Sequence, residues 1–320
     1  MTVSSQARDP GSSLVQFLDT HLPERRQITA EWRTKLQTAP WAAGALDGNR
    51  QHLGQALEMR IGLDLADRPD YWHLLGYLPA KDCAALLAAA GFSVEQNPHL
   101  PDSGTTDPML QSWQRTSRPD VADELALKAC LRATSMDAVA HSMRFAAFSV
   151  QTQRSLLRFL ERTSDSDPTL DCLTHLWAGY LHHGREPLRR LGERVLVAPE
   201  LAPGFAVLDL VVGRTLVEIK TSADPDKFLD QWLDQVMGYL MIDRWNVLWM
   251  NQVAIYVGSR ALLLSVSVDE LLRTASRGAL PELHTLREQF HEALCDDIEA
   301  GARGRLSKQY PIPPEAIVPR

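Results

Sequence analysis

The stretch from residue 208 to 222, LDLVVGRTLVEIKTS, carries two short apolar runs on either side of Gly213-Arg214. A two-residue link containing glycine between such runs reads as a hairpin loop, because glycine takes the positive φ that tight hairpin turns need. The turn fixes the register. Val212 stands opposite Thr215 and each further pair keeps the same sum, so Asp209 falls opposite Glu218. Cβ atoms in such a pair lie about 4.5–5.5 Å apart, and like charges there are destabilising. Lys220, two residues beyond Glu218, points to the same face of its strand. Two carboxylates and an ammonium thus converge on one patch of an otherwise apolar hairpin.

Two readings of this patch stand open. On a wet face, Glu218 and Lys220 form an ion pair that offsets the repulsion. The uninterrupted apolar runs on both strands favour a central, buried hairpin instead. Buried carboxylates in contact need a cation or a shifted pKa. A divalent metal between them meets that need, since hard cations take oxygen ligands.

The chain changes texture near residue 170. Before it, SLVQFLDTHL, AEWRTKLQTA and GQALEMRIGLDLA place apolar residues three and four apart, the spacing of helices. YLPAKDCAALLAAAGF adds a helix opened by proline and closed by Gly91. NPHLPDSGTTDP reads as a surface loop, and VADELALKACLRAT and MDAVAHSMRFAAFSVQTQRSLLRFLERT as two further helices. After the break SDSDPT come a helix, ERVLVAPEL, the hairpin, the helix DKFLDQWLDQVMGYLMID, two strand-like runs, a capped helix opened by Ser267 and Glu270, and a final helix. This order predicts a mixed α/β core over 166–320 behind an all-α N-terminal domain over 1–165.

Bulk composition sets limits. A net charge of −7 over 320 residues is not the footprint of a protein that coats nucleic acid, though it leaves room for one local basic groove. No run nears the roughly 18 apolar residues of a membrane span, so no membrane role is expected. The start, MTVSSQARDPGSS, lacks the apolar stretch of a signal peptide and reads as a frayed end. Cys83, Cys130, Cys172 and Cys295 lie too far apart for a structural zinc site and read as buried thiols in a reducing compartment, the cytoplasm.

Asp209, then Glu218-Ile219-Lys220, then Gln235 and Tyr239 on the next helix resemble the PD-(D/E)XK nuclease superfamily, and the Q-x-x-x-Y element resembles its RecB-like branch. The resemblance spans about 170–270 and implies a restriction-endonuclease-like core and a deoxyribonuclease, with roles by analogy in genome defence or repair. It implies that Asp209, Glu218 and the Ile219 carbonyl hold Mg²⁺ or Mn²⁺, and that Lys220 orients the attacking water. Gln235 would brace the site and Tyr239 would touch substrate. Many members of this branch add a histidine from an upstream G-x-x-x-H. Gly179 and His183 match that spacing, with His182 and Glu186 as substitutes. No cysteine cluster brackets the core, so no iron–sulfur cluster is expected. The segments IYVGSRALLLSVSVDELL and LPELHTLREQFHEAL also resemble actinobacterial proteins of similar length.

Arg185, Arg189, Arg190 and Arg194 lie near the site in sequence, and Arg260 follows a core strand. They suit a phosphate backbone or, equally, a solvated helix end. Trp177, Trp232, Trp245 and Trp249 read as core or rim aromatics rather than base platforms. The helical first half is expected to bind a partner or substrate, or to mediate homo-oligomerisation. The rival class is a scaffold that keeps the nuclease fold without the activity. A third reading is a nuclease active only in a complex.

Overall fold

The computed structural model describes residues 2–40, 50–69, 71–76, 78–95, 108–120, 123–145, 168–278 and 280–309. Among the described residues the first half holds seven α-helices: α1 (Val3–Gln6), α2 (Ser13–His21), α3 (Arg26–Thr38), α4 (Arg50–Leu65), α5 (Trp72–Leu75), α6 (Ala80–Ala89) and α7 (Glu124–Phe145). Ser12 Oγ accepts the Val15 N–H at 3.2 Å at the head of α2, and Pro79 precedes α6. The helix expected to end near Thr134 runs on as α7, because no glycine or proline interrupts 124–145. The remainder of the expected second helix, over 146–163, lies outside the described residues, as does most of the expected loop over 97–108.

The first half is not all helical. A two-stranded antiparallel ribbon, β1 (Phe92–Val94) with β2 (Trp113–Arg115), lies between α6 and α7. Strands of three residues are too short to show a period in sequence.

Seven strands follow: β3 (Val195–Val197), β4 (Glu200–Ala202), β5 (Ala206–Val207), β6 (Leu210–Val212), β7 (Thr215–Lys220), β8 (Gln252–Val257) and β9 (Leu262–Ser267). Five of them form a mixed sheet in the order β3-β6-β7-β8-β9, in which β7 and β8 are parallel and the other pairs antiparallel. The parallel pair needs a crossover. The helix Leu229–Ile242, which carries Gln235 and Tyr239 and is called the motif helix below, supplies it. Twelve residues of that helix are buried, so it is an internal element and not a surface one.

Alternate residues of the sheet face two apolar layers. Val211, Leu216, Val253 and Ile255 pack with α1–α3, the motif helix and the helices Val268–Ala275 and Leu283–Ala293. Leu210, Val212, Val217 and Tyr256 pack with α4–α7 and the helix Pro168–Gly179. The expected division near 165 falls outside the described residues, and each layer draws on both sides of it. Far from fraying, the start of the chain is structured: Val3 is fully buried and its N–H donates to the Phe205 carbonyl at 3.0 Å. Among the described residues no helix is long and apolar enough to cross a membrane. Cys83, Cys130 and Cys172 are buried free thiols, but Cys295 is exposed.

Candidate active site

The hairpin register is that of the sequence: Leu210 faces Val217, Val211 faces Leu216 and Val212 faces Thr215. Of the two loop residues only Gly213 has positive φ, at 60°, the pattern of a II′ turn. A Cβ there would stand 2.2 Å from the Leu191 carbonyl oxygen, so close approach as well as φ demands glycine. The β6 ladder stops at Leu210. Asp209, next in register, continues it with its side chain: Oδ2 accepts the Ile219 N–H at 2.7 Å. A strand residue sends its N–H and C=O to the same edge, so the Ile219 carbonyl faces the edge where Asp209 lies.

Glu218 and Lys220 alternate with Ile219 and point toward the motif helix. Glu218 is 2% exposed. Its Oε1 accepts from Lys220 Nζ and from Gln235 Nε2, both at 2.6 Å. Gln235 Oε1 accepts from Lys220 Nζ at 3.0 Å, so the two ends of the amide match the carboxylate and the ammonium. Four residues on, the Tyr239 hydroxyl lies 3.0 Å from Ser4 Oγ and accepts from Gln235 Nε2 at 3.1 Å. Both motif side chains thus turn inward to the charged patch, as their spacing predicts.

A third carboxylate arrives from the first half of the chain. α4 passes the end of β7 so closely that a Cβ at Gly54 would touch Thr221 Oγ1 at 3.0 Å, and one at Gly258 would meet Leu57 Cδ2 at 2.8 Å. This brings Glu58 beside Glu218 and Lys220. Burial and then the Glu218 charge raise the Glu58 carboxyl from 4.5 to about 8, against the pull of Lys220. Asp209 is also held well above its ordinary value, first by burial and then by Glu218 and Glu58. Burial alone would lower the Lys220 pKa, but Glu218 and Asp209 overcome it and raise it. Burial, then Glu218, also raises the Tyr239 phenol. Three carboxylates against one ammonium leave the patch short of positive charge, and protons make up the difference.

Set against family models, curated proteins and solved structures, the chain matches none.

One atom bears on a metal. Glu218 Oε2 is buried and finds no hydrogen-bond donor among the described residues. An orphaned carboxylate oxygen beside a second, half-buried carboxylate suits a hard divalent cation, which takes oxygen ligands and keeps several waters. Among the described residues no three Asp, Glu, His or Cys side chains are gathered at metal-ligating distance. Asp209, Glu218 and a backbone carbonyl are the groups at the patch that could hold such an ion, while Glu58 acts on both carboxylates through its field.

Several expected residues lie elsewhere. His182 and His183 are exposed on a π-helical turn, Tyr180–Gly184, and His183 joins none of the hydrogen bonds that tie the patch together. The same turn sends its neighbours inward. Arg185, expected at a nucleic-acid surface, is buried: its NH2 donates to Asp64 Oδ1 at 2.6 Å and Nε to Asp64 Oδ2 at 2.9 Å, beside Tyr180. A guanidinium so committed has no fork left for a phosphate. Arg190 pairs on the surface with Glu186 at 3.0 Å, and Arg189 and Arg194 are exposed. Arg260 donates to the Ala39 carbonyl at 2.8 Å. Trp177 and Trp232 are core residues, whereas Trp245 and Trp249 are exposed.

Proposed function

We propose that the protein is a Mg²⁺- or Mn²⁺-dependent nuclease of the PD-(D/E)XK kind, with a restriction-endonuclease-like core, hydrolysing phosphodiester bonds in DNA. The observation that carries this reading is the buried Glu218, with one oxygen held by Lys220 and Gln235 and the other without a donor among the described residues, beside the half-buried Asp209. Asp209, Glu218 and the Ile219 carbonyl are the groups that would hold the ion. When bound, it would polarise the phosphoryl oxygen and lower the pKa of its water.

The chain's own residues divide the remaining work. Lys220 keeps its proton, because Glu218 and Asp209 raise its pKa, so it acts as a cation that orients the attacking water and offsets charge on the phosphate. Its side chain is 19% exposed, enough to meet a substrate at the rim. Gln235 locks Glu218 and Lys220 in one geometry, and Tyr239 offers a protonated hydroxyl rather than a phenolate. Arg189, Arg190 and Arg194 are the exposed cations left to position a backbone.

The test combines Mn²⁺ titration with cleavage of labelled DNA and RNA. Wild type should bind Mn²⁺ and cut DNA. Asp209→Asn should weaken metal binding and abolish cleavage. Lys220→Ala should abolish cleavage while metal binding survives. Wild-type protein that neither binds Mn²⁺ nor cuts either nucleic acid returns the chain to a binding or scaffold role.

A further inference from the structure

We propose that Ser4 is a positioning residue of this site, and that its hydroxyl sets the working orientation of the Gln235 amide and the Tyr239 phenol. The geometry rests on hydrogen bonds alone; the effect on cleavage rests on the nuclease reading above. Ser4 Oγ lies 2.8 Å from Gln235 Nε2 and 3.0 Å from the Tyr239 hydroxyl.

Counting protons shows what this contact decides. The Gln235 amide has two N–H groups. One goes to Glu218 Oε1 at 2.6 Å, and the other is shared between Ser4 Oγ at 2.8 Å and, more weakly, the Tyr239 oxygen at 3.1 Å. Having accepted there, Ser4 has one O–H to give, and the Tyr239 oxygen is the partner within reach. The phenol's own proton is then not consumed within the network and is a donor for a substrate oxygen. The carboxamide is also fixed against a flip, since reversing it would set its oxygen against Glu218 and its NH₂ against the Lys220 ammonium.

Ser4 is held in place as core residues are. Val3, beside it, is fully buried, and a Cβ on Gly238 would stand 2.8 Å from Val3 Cγ1, so a glycine in the motif helix is what lets α1 approach. Thr2 and Ser5 form a capping box over α1. Gln6, 1% exposed, accepts the Leu14 N–H at 3.0 Å through Oε1, and its carbonyl accepts from Ser12 Oγ at 2.8 Å. Anchored on both sides, α1 is a fixed wall of the site and not a strap that swings away to admit substrate.

The experiment compares Ser4→Ala, Ser4→Thr and Val3→Ala with wild type. Ser4→Ala should lower kcat for DNA cleavage about tenfold, equivalent to about 1.4 kcal/mol and the scale of one net hydrogen bond. Mn²⁺ affinity should hold, and Ser4→Thr should restore most of the rate. Val3→Ala, which loosens the same helix without touching the hydroxyl, should lower the melting temperature more than Ser4→Ala and spare kcat. Independently of activity, protein labelled with ¹⁵N-glutamine and free of metal and DNA should show the Gln235 side-chain amide resonances, assigned through Gln235→Glu. These should move in Ser4→Ala and return in Ser4→Thr. Wild type that cleaves while Ser4→Ala keeps full kcat overturns the proposal, as do unmoved Gln235 resonances. If wild type cuts nothing, the nuclease reading fails and the amide resonances alone decide the positioning role.

Discussion

Glu58→Gln isolates the charge imbalance of the site. In the folded protein the Glu58 carboxyl titrates at about 8 instead of 4.5, because it is buried beside Glu218. Between those values the folded state binds more protons than the unfolded chain, so apo stability must fall as pH rises through that window. The protonated acid costs nothing below about 4.5, and the full penalty is present above about 8. The gap of about 3.5 units, at 1.36 kcal/mol each, sets an upper bound of about 5 kcal/mol. Asp209 feels the same field, so removing Glu58 alone should recover part of that bound and not all of it. Urea unfolding of chelator-treated protein at pH 5, 6.5 and 8 reads it out. The wild-type midpoint should fall across the series, while that of Glu58→Gln should fall much less and end above wild type at pH 8. Saturating Mn²⁺ should flatten the wild-type profile, since a bound cation favours ionised carboxylates. Parallel pH profiles for the two proteins would show that Glu58 lies outside the field of Glu218, and the electrostatic account of the site would fail.

Other changes test the wider frame. Arg185→Ala leaves the fully buried Asp64 without its guanidinium and should cost about 3–5 kcal/mol in urea unfolding; a surface cation would cost far less. Arg189→Ala with Arg190→Ala should instead leave the melting temperature unchanged and lower the salt dependence of DNA binding, measured by anisotropy, by about two charges. Gly213→Ala forces a Cβ against the Leu191 carbonyl at a φ of 60° and should destabilise by about 2 kcal/mol or more. A midpoint unchanged from wild type would mean the turn is free to rebuild. Arg25→Met strips Asp234, 2% exposed, of the Nε partner at 2.7 Å and leaves Arg26 at 2.6 Å. The loss expected in the same assay is about 3 kcal/mol.

What was legible in the sequence was what local geometry dictates. The register of the hairpin follows from its turn, so Asp209 and Glu218 could be set opposite each other by counting. Gln235 and Tyr239 share a helix face by spacing alone. Contacts between distant segments were not legible. Glu58 sat in a helical pattern among apolar residues, and nothing local said that α4 would cross the end of β7. A charged residue flanked by Ala56, Leu57, Met59 and Arg60, all later buried, was the one available hint. Arg185 looked like a surface cation because its partner, Asp64, lies far away in sequence. The polar start of the chain looked frayed because Val3 is a single apolar anchor and its socket, at Gly238, is supplied by a different segment. His183 satisfied a spacing, but the turn that follows Gly179 is π-helical and leaves it outside.

The sharing of both sheet faces between the two ends of the chain has a consequence for how the site comes into being. Ser4 and Glu58 emerge from the ribosome long before the hairpin they serve, and the motif helix comes later still. Their contacts close loops of well over a hundred residues, the kind of pairing that folds late. A fragment beginning near residue 166 would carry every motif residue, yet each face of its sheet would lose part of its cover, α1–α3 from one and α4–α7 from the other, with neither the Ser4 hydroxyl nor the Glu58 charge in place. The assembled site therefore appears only once the chain from residue 2 to 257 has folded as one, and a partly made or cut chain would hold the letters of the motif without its chemistry.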